Sequence, residues 1–353
     1  MINPISYKLF RAINWPKKLP FNLTVGLTYR CNSKCSTCNI WRMTSKDEMT
    51  LQEYNKIFKN LGKKAEWITF SGGEPFLRAD IVGIVKSAYK HCSPKTIVIP
   101  TNAILYQIIP KKVKEILSSC PNTKITVNLS LDDIGKKHEK IRGIKNNFEY
   151  FLKTYNSLKN LKHYKNFELG IHTVISRFNV NSIKEVYEYV SKNLDPDSYI
   201  TEIAEQRVEL GTIGMDITPK EKEYAKAINY LINEIKKAKL TLKQRFRLQY
   251  YSLVKEILAK KAQVIPCYAG FASAQIAPNG DVWTCCVRAQ PIGNLRKVGY
   301  DFKKVWFGKK ADELRKSIKN KECYCPLANA SYSNLLMNRG SVAKIMVNAL
   351  IGK

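Results

Sequence analysis

Between residues 22 and 210 the chain alternates short apolar, β-branched runs with stretches of helical period, and this alternation is the strongest constraint on its fold. Six runs read as strands: Leu23–Leu27, Trp67–Phe70, Thr96–Pro100, Ile125–Leu131, Glu168–Ile175 and Tyr199–Ile203. Residues 50–61, 79–91, 110–119, 146–159 and 182–193 lie between them and read as helices. Strands separated by helices pair in parallel through right-handed crossovers. The expected product is an α/β sheet, closed or partly closed into a barrel, with functional residues at the carboxyl ends of its strands.

The first strand is followed directly by Thr28-Tyr-Arg-Cys31-Asn-Ser-Lys-Cys35-Ser-Thr-Cys38. Three thiolates on one short loop can hold three irons of a 4Fe-4S cube and leave the fourth open to a ligand, whereas a structural site usually needs a fourth protein ligand. The ten cysteines fall mostly into groups, Cys31/Cys35/Cys38, Cys267, Cys285/Cys286 and Cys323/Cys325, with Cys92 and Cys120 isolated. Such grouping points to metal ligation in a reducing compartment rather than to disulfides, so a cytoplasmic, low-oxygen setting is expected. No run approaches the roughly 20 apolar residues that span a bilayer. Lys8 and Arg11 break the N-terminal apolar stretch where a signal peptide needs continuity.

The CxxxCxxC spacing after a first strand resembles the radical S-adenosylmethionine (radical SAM) superfamily. That resemblance extends along the barrel. Gly72-Gly73-Glu74-Pro75 after the second strand matches the family's GGEP pattern, where backbone groups meet the cofactor's ammonium. Thr101-Asn102-Ala103 stands where many relatives carry Thr-Asn-Gly. Ser130-Leu-Asp132, followed by Arg142-Gly143, resembles a stretch in which the serine and arginine hold the cofactor's carboxylate and the acid lies near its ribose. A guanidinium suits the task because it offers a carboxylate two parallel donors. One departure is Thr37, where relatives often place an aromatic residue against the adenine; Trp41 is the available substitute.

The resemblance implies a partial (β/α)6 TIM-type barrel that binds a [4Fe-4S] cluster and S-adenosylmethionine. The implied enzyme is of oxidoreductase or transferase type and cleaves the cofactor to a 5'-deoxyadenosyl radical, which abstracts hydrogen from an unactivated carbon. An electron donor such as ferredoxin or flavodoxin is the implied partner.

After Pro266 the character changes to short strands and turns, with Asn279-Gly280 as a hairpin signal between Ala274–Ala277 and Val282–Thr284. Cys267, twelve residues, Gly280, four residues and Cys285 resemble the opening of the auxiliary-cluster extensions called SPASM and twitch domains. With Cys323 and Cys325 this makes four ligands, enough for one auxiliary [4Fe-4S] cluster, so a twitch-like form is the better match. Cys286 stands as an alternative to Cys285, and zinc as an alternative metal, since four thiolates suit both. The expected organisation is a basic amphipathic segment (1–20), the barrel (21–210), a helical basic connector (211–263), the auxiliary domain (264–330) and an amphipathic C-terminal helix (331–353).

The formal charge of +30, from 59 Lys and Arg against 29 Asp and Glu, implies an anionic partner. Residues 1–20 carry Lys8, Arg11, Lys17 and Lys18 and no acid, with Ile2, Ile5, Leu9 and Ile13 at helical spacing and Trp15 beyond. At the other end Arg339, Lys344 and Lys353 accompany an apolar stripe of Val342, Ile345, Met346, Ala349 and Leu350. Two such ends suit an anionic membrane surface and a peripheral location on its inner face. A lipid or lipid-linked substrate is therefore expected, ahead of a ribosomal peptide or protein side chain and of RNA. Arg245, Arg247, Tyr250 and Tyr251 form the candidate nucleic-acid surface. A non-catalytic iron-sulfur or zinc binding protein is disfavoured by the Gly-Gly-Glu-Pro and Ser-Leu-Asp elements. Glu202, Glu205 and Arg207, around the sixth strand, are candidate substrate contacts.

Overall fold

A computed structural model describes residues 2–44 and 46–350, without the side chain at 350. Helix α1 (Pro4–Ile13) precedes β1 (Asn22–Thr28), α2 (Leu51–Leu61), β2 (Trp67–Gly72), α3 (Ile81–Cys92), β3 (Thr96–Thr101), α4 (Ile109–Ser119) and β4 (Lys124–Ser130). Then come α5 (Gly135–Arg142), α6 (Asn147–Lys159), β5 (Phe167–Ile175), α7 (Ile183–Asn193) and β6 (Ser198–Ile203). The connector region holds α8 (Glu221–Ile235) and α9 (Leu242–Lys260). The last part holds β7 (Ser273–Ile276), β8 (Asp281–Trp283), β9 (Pro291–Asn294), α10 (Phe302–Trp306), α11 (Lys309–Lys319), α12 (Ala328–Met337) and α13 (Arg339–Leu350).

All nine strands share one sheet in the order β6-β5-β4-β3-β2-β1-β7-β8-β9. Neighbours from β6 to β7 run parallel, including β7 on β1, with Asn22 opposite Ser273 and Val25 opposite Ile276. Strands β7 to β9 are antiparallel. The expected six-strand partial barrel is therefore present, and the C-terminal hairpin extends the same sheet from β1. Every residue of β1 is buried, as a central strand covered on both faces demands.

Local chemistry explains the element boundaries. Helix α2 starts at a capping box in which Thr50 and Glu53 satisfy each other's backbone donors. Helix α5, not expected from the sequence as a separate element, ends at Gly143, whose φ of 67° is a left-handed cap that glycine adopts freely. The largest core lies between sheet and helices and includes Tyr54, Phe58, Phe70 and Phe151, all fully buried. Each such side chain contributes about 2–3 kcal/mol by leaving water. A second core under α8 and α9 contains Tyr224, Tyr250 and Tyr251, and a third holds α1 through Tyr7 and Phe10 against Phe21, Tyr268 and Phe271.

The second core corrects the nucleic-acid expectation. Tyr250 and Tyr251 are fully buried and cannot stack on bases. Arg247 donates to the Tyr199 carbonyl at 3.1 Å and Arg245 to that of Asn348 at 2.6 Å, so both guanidiniums tie elements of the protein together. The terminal stripes fare differently from each other. Helix α1 turns Ile5, Leu9 and Ile13 outward, 63, 42 and 65 % exposed, whereas α13 buries Ile345 and exposes Met346. Lys353, counted above with the second stripe, lies outside the described residues. Among the described residues no helix is long and apolar enough to cross a membrane.

Candidate active site

The loop carrying Cys31, Cys35 and Cys38 leaves the carboxyl end of β1 and is held from three sides. Glu48 accepts from the Thr28 hydroxyl at 2.7 Å and from the Tyr29 amide at 2.8 Å, fixing its start. The end of β2 packs backbone to backbone against it, with the Gly73 amide donating to Thr28 O at 2.7 Å and the Glu74 amide to Arg30 O at 2.9 Å. A Cβ on Gly73 would sit 2.1 Å from Arg30 O, and one on Gly72 2.4 Å from Thr28 O, so both positions require glycine. The third support is the end of α5. The Lys34 amide donates to Arg142 O at 3.0 Å and the Ser36 amide to Ile141 O at 2.8 Å, close enough that a Cβ on Gly143 would lie 2.4 Å from Lys34 O.

Glu74 is almost wholly buried and accepts from the Phe76 amide, the Thr101 hydroxyl and the Asn102 amide at 2.8 to 3.1 Å. It clasps the end of β2 to the end of β3, and Pro75 opens the short turn beside it. Asn102 in turn donates to Asn32 Oδ1 at 2.7 Å, within the cysteine loop. Ser130 ends β4 opposite His172 of β5. Asp132, 1 % exposed, accepts from the Val174 amide at 3.0 Å and from Arg142 Nη1 at 3.1 Å. The Asp132 amide donates to His138 Nδ1 at 3.1 Å, and burial together with Arg142 pushes that imidazole down to about 4, so it is neutral.

These residues fit a thiolate-bound cluster with a ligand beside it. Burial pushes the Cys31 thiol up to about 11 and Cys38 up to about 12, and Cys35 upward as well, so cluster assembly must draw off their protons. The Ser33 amide points at Cys31 Sγ (3.4 Å) and the Ile40 amide at Cys38 Sγ (3.5 Å), donors placed for sulfur that carries negative charge. Arg142 supplies a neighbouring positive charge, and its buried Nε has no hydrogen-bond partner. Trp41 reaches the same loop, donating to Cys38 O at 3.1 Å.

The auxiliary thiols Cys267, Cys285, Cys323 and Cys325 line one cavity, walled by Ile265, Ile318 and Ala330. Cys286 is not among its lining residues; its thiol lies against Glu209. The two cysteines open a turn after β8 that the Ala289 amide closes on Cys285 O at 3.1 Å, and within it only the Cys285 thiol reaches the cavity. The main site and this cavity are joined by the segment after β6. Val208 N–H donates to Val287 O at 3.0 Å and Asn39 N–H to Leu210 O at 2.9 Å, so residues 208–210 touch the neighbours of both Cys38 and Cys285. Among the described residues no set of three or more His, Cys, Asp or Glu is placed to chelate a single metal ion.

Beside this strap the end of β6 gathers a buried polar group. Arg207 Nε lies 3.2 Å from Glu205 Oε1 and Nη2 3.6 Å from Glu202 Oε2, while His172 Nε2 is 3.8 Å from Glu202 Oε1. None of these contacts is aligned as a hydrogen bond, leaving Glu205 Oε1, Arg207 Nε and His172 Nε2 buried without one. Burial pushes the Glu205 carboxyl up to about 7, reinforced by Glu202 and opposed by Arg207. Glu209, also held high by burial, bonds to Gln275 of β7. The sequence pointed to Glu202, Glu205 and Arg207. It gave no signal for Glu48, Asn39, Glu209, Gln275 or His172, because each acts through a partner distant in the chain.

Comparison with known proteins agrees with this geometry. The family model of the Radical SAM superfamily matches residues 25–190, and that of the SPASM iron-sulfur cluster-binding domain matches residues 267–326. A probable GTP 3',8-cyclase of Saccharolobus islandicus (strain M.14.25 / Kamchatka #1) is 27 % identical over 286 residues, covering 77 % of this chain and 84 % of the relative. An Fe-coproporphyrin III synthase of Methanosarcina barkeri is 28 % identical over 175 residues, 48 % of this chain and 41 % of the relative. Among solved structures, Streptococcus suis SuiB bound to S-adenosylmethionine superposes with a TM-score of 0.61 at 17 % identity, over 91 % of this chain and 75 % of that one. Native anSMEcpe with bound AdoMet gives 0.61 at 18 % identity, over 93 % and 97 %. The chain carries a radical SAM domain and a C-terminal SPASM domain: it is a radical SAM enzyme whose barrel binds a [4Fe-4S] cluster and S-adenosylmethionine and whose SPASM domain binds auxiliary iron-sulfur.

Proposed function

We propose that the enzyme abstracts hydrogen from an unactivated C–H bond in the polar head of a lipid or lipid-linked substrate, at an anionic membrane surface. The observation that carries this reading is the strap of residues 208–210, which touches the surroundings of both thiol sites and borders the buried group Glu202, Glu205, Arg207 and His172. A substrate lying there meets both sites at once. Bound at Cys31, Cys35 and Cys38, the cluster and S-adenosylmethionine supply the 5'-deoxyadenosyl radical.

The chain's own residues have separate tasks. Arg142, Ser130 and Asp132 orient the cofactor's carboxylate and ribose, while the Gly72-Gly73 backbone and Asn102 shape the pocket for its amino group. Cys267, Cys285, Cys323 and Cys325 hold the auxiliary cluster, and an external one-electron donor such as ferredoxin or flavodoxin reduces the enzyme. Residues 21–210 thus form the catalytic unit, 264–330 the auxiliary unit and 211–263 a connector.

Glu202, Glu205 and Glu209 all lie near the Arg207 guanidinium. With burial holding the Glu205 and Glu209 carboxyls high, the group offers hydrogen-bonding oxygens suited to a head group bearing hydroxyl or amine donors. The lipid anchor is inferred from α1, basic, acid-free and apolar on its exposed side. A second reading, modification of a peptide, draws support from the fold shared with SuiB bound to precursor peptide SuiA and with anSMEcpe bound to Kp18Cys peptide.

The test is 5'-deoxyadenosine formation by anaerobically reconstituted enzyme with cofactor and reductant, challenged in turn with lipid, peptide and RNA extracts. Stimulation by lipid alone supports the proposal. Stimulation by peptide instead moves the assignment to the second reading.

A further inference from the structure

Helix α1 has two apolar sides, and the fold uses only one of them. Tyr7 and Phe10 point inward, Tyr7 donating its hydroxyl to Leu19 O at 2.7 Å and Phe10 packing edge-on against Phe271 at 5.3 Å. Arg11 is drawn inward as well, donating to Cys267 O at 2.9 Å. The opposite side carries Ile5, Leu9 and Ile13, one helical turn apart, continued by Trp15 at 69 % exposure. No core residue is missing beneath this row, since the inward side is already packed. Among the described residues none of the buried core clusters includes this row.

The ground beside the row is basic. Lys319 caps the end of α1 by donating to Ala12 O at 2.6 Å, Lys17 pairs with Asp312, and Trp306 Nε1 donates to Lys18 O at 2.8 Å. These contacts place the end of α11 against the end of α1, and α10 and the start of α11 against residues 17 and 18 just beyond it. Helices α10 and α11 expose Lys303, Lys304, Lys309, Lys310, Lys316 and Lys319 against one exposed acid, Glu313. An apolar ridge ending in tryptophan and flanked by lysines has the composition of a surface that settles into the head-group region of a bilayer. The apolar row enters the acyl boundary and the lysines meet anionic phosphates.

We propose that the outward face of α1 (Ile5, Leu9, Ile13 and Trp15), with the exposed lysines of α10 and α11, docks the enzyme on an anionic lipid bilayer. The choice of occupant rests on charge complementarity: the chain is +30 overall and its first twenty residues contain no acid. A neutral protein groove would take the apolar row but gain nothing from the lysines. This deepens the membrane-surface reading above and rests on it only for where the substrate resides. It makes no use of the reaction.

The experiment is co-sedimentation of reconstituted full-length enzyme with vesicles of pure phosphatidylcholine and with vesicles containing 30 mol % phosphatidylglycerol (about one anionic lipid in three, enough to set up an attractive surface potential). Binding is expected to the anionic vesicles, at least about tenfold weaker to the neutral ones, and to fall steeply with added salt. The double variant Ile5→Asp/Ile13→Asp should bind at least about tenfold less while keeping its circular dichroism spectrum and iron content. Trp15→Phe tests the depth directly: brominated lipids should quench parent fluorescence more than that of the variant. Equal binding of parent and double variant overturns the proposal. So does binding indifferent to lipid charge, or a dimer that the double variant dissolves, which would make the face a contact between copies. The vesicles contain no substrate, so loss of docking with persistent stimulation of 5'-deoxyadenosine by lipid extract removes this inference alone. Docking without stimulation removes only the lipid-substrate reading.

Discussion

Arg142 donates through Nη1 to Asp132 Oδ2 at 3.1 Å and keeps its Nε buried without a hydrogen-bond partner. One residue earlier and at Arg142 itself, backbone carbonyls hold the amides of Ser36 and Lys34. The same turn of α5 therefore positions the cysteine loop and presents a charged donor beside it. In the function proposed above, this would couple cluster geometry to cofactor recognition through a single helix end.

Replacing that guanidinium tests the coupling. Arg142→Lys keeps the charge but loses the planar fork, and we expect S-adenosylmethionine affinity to fall about 10- to 100-fold, roughly 1.4 to 2.8 kcal/mol. Iron content should stay at the parent level, because the carbonyls that hold the loop are backbone atoms. Equilibrium binding of the cofactor beside an iron assay reads both.

The auxiliary cysteines separate cleanly. Cys285→Ala should lose the auxiliary cluster, about four irons per chain, because its thiol lines the cavity with Cys267, Cys323 and Cys325. Cys286→Ala should retain that iron, since its thiol faces Glu209. Iron analysis and electron paramagnetic resonance of the two variants decide the matter. Equal loss from both would assign Cys286 a ligand role.

Glu205 predicts a pH signature. Burial raises its carboxyl from the usual 4.5 to about 7 in the folded protein. Its favourable contribution is therefore complete below pH 4.5 and is lost as pH rises through 7. Over that window the parent should lose about 3 kcal/mol relative to Glu205→Gln, which has no proton to release. Urea unfolding of the two proteins at pH 5 and pH 8 measures the difference. A gap that does not change with pH sinks the assignment.

Two backbone positions should respond in opposite ways. Gly73→Ala would place a Cβ 2.1 Å from Arg30 O, and we expect a loss of about 2 kcal/mol or more together with reduced iron at the first site. Ala103 sits at φ 62°, a left-handed conformation in which a side chain costs about 1 kcal/mol or more. Ala103→Gly should remain within about 1 kcal/mol of the parent, because relief of strain offsets glycine's greater freedom when unfolded. Thermal melting of both variants checks the contrast.

The six barrel strands were legible because each is a short run rich in apolar and β-branched residues bounded by turns, and that pattern depends only on neighbours in the chain. The Asn279-Gly280 hairpin was legible for the same reason. Helix α5 was missed because Gly135 to Arg142 is largely polar, and its residues form a helix by supporting the cysteine loop. Tyr250 and Tyr251 were misassigned because a tyrosine among lysines reads as surface until the helices that cover it are in place.

By itself the sequence determined the cysteine groups, the strand–helix alternation and the acid-free ends, all properties of residue type and local spacing. Only the tertiary structure decided that β7 pairs with β1, that Cys285 rather than Cys286 joins the auxiliary cavity, and that residues 208–210 bridge the two thiol sites. It also decided that α1 turns its second apolar row to solvent. Each of these joins residues far apart in the chain, where burial and close packing choose the partner and local preference has no say.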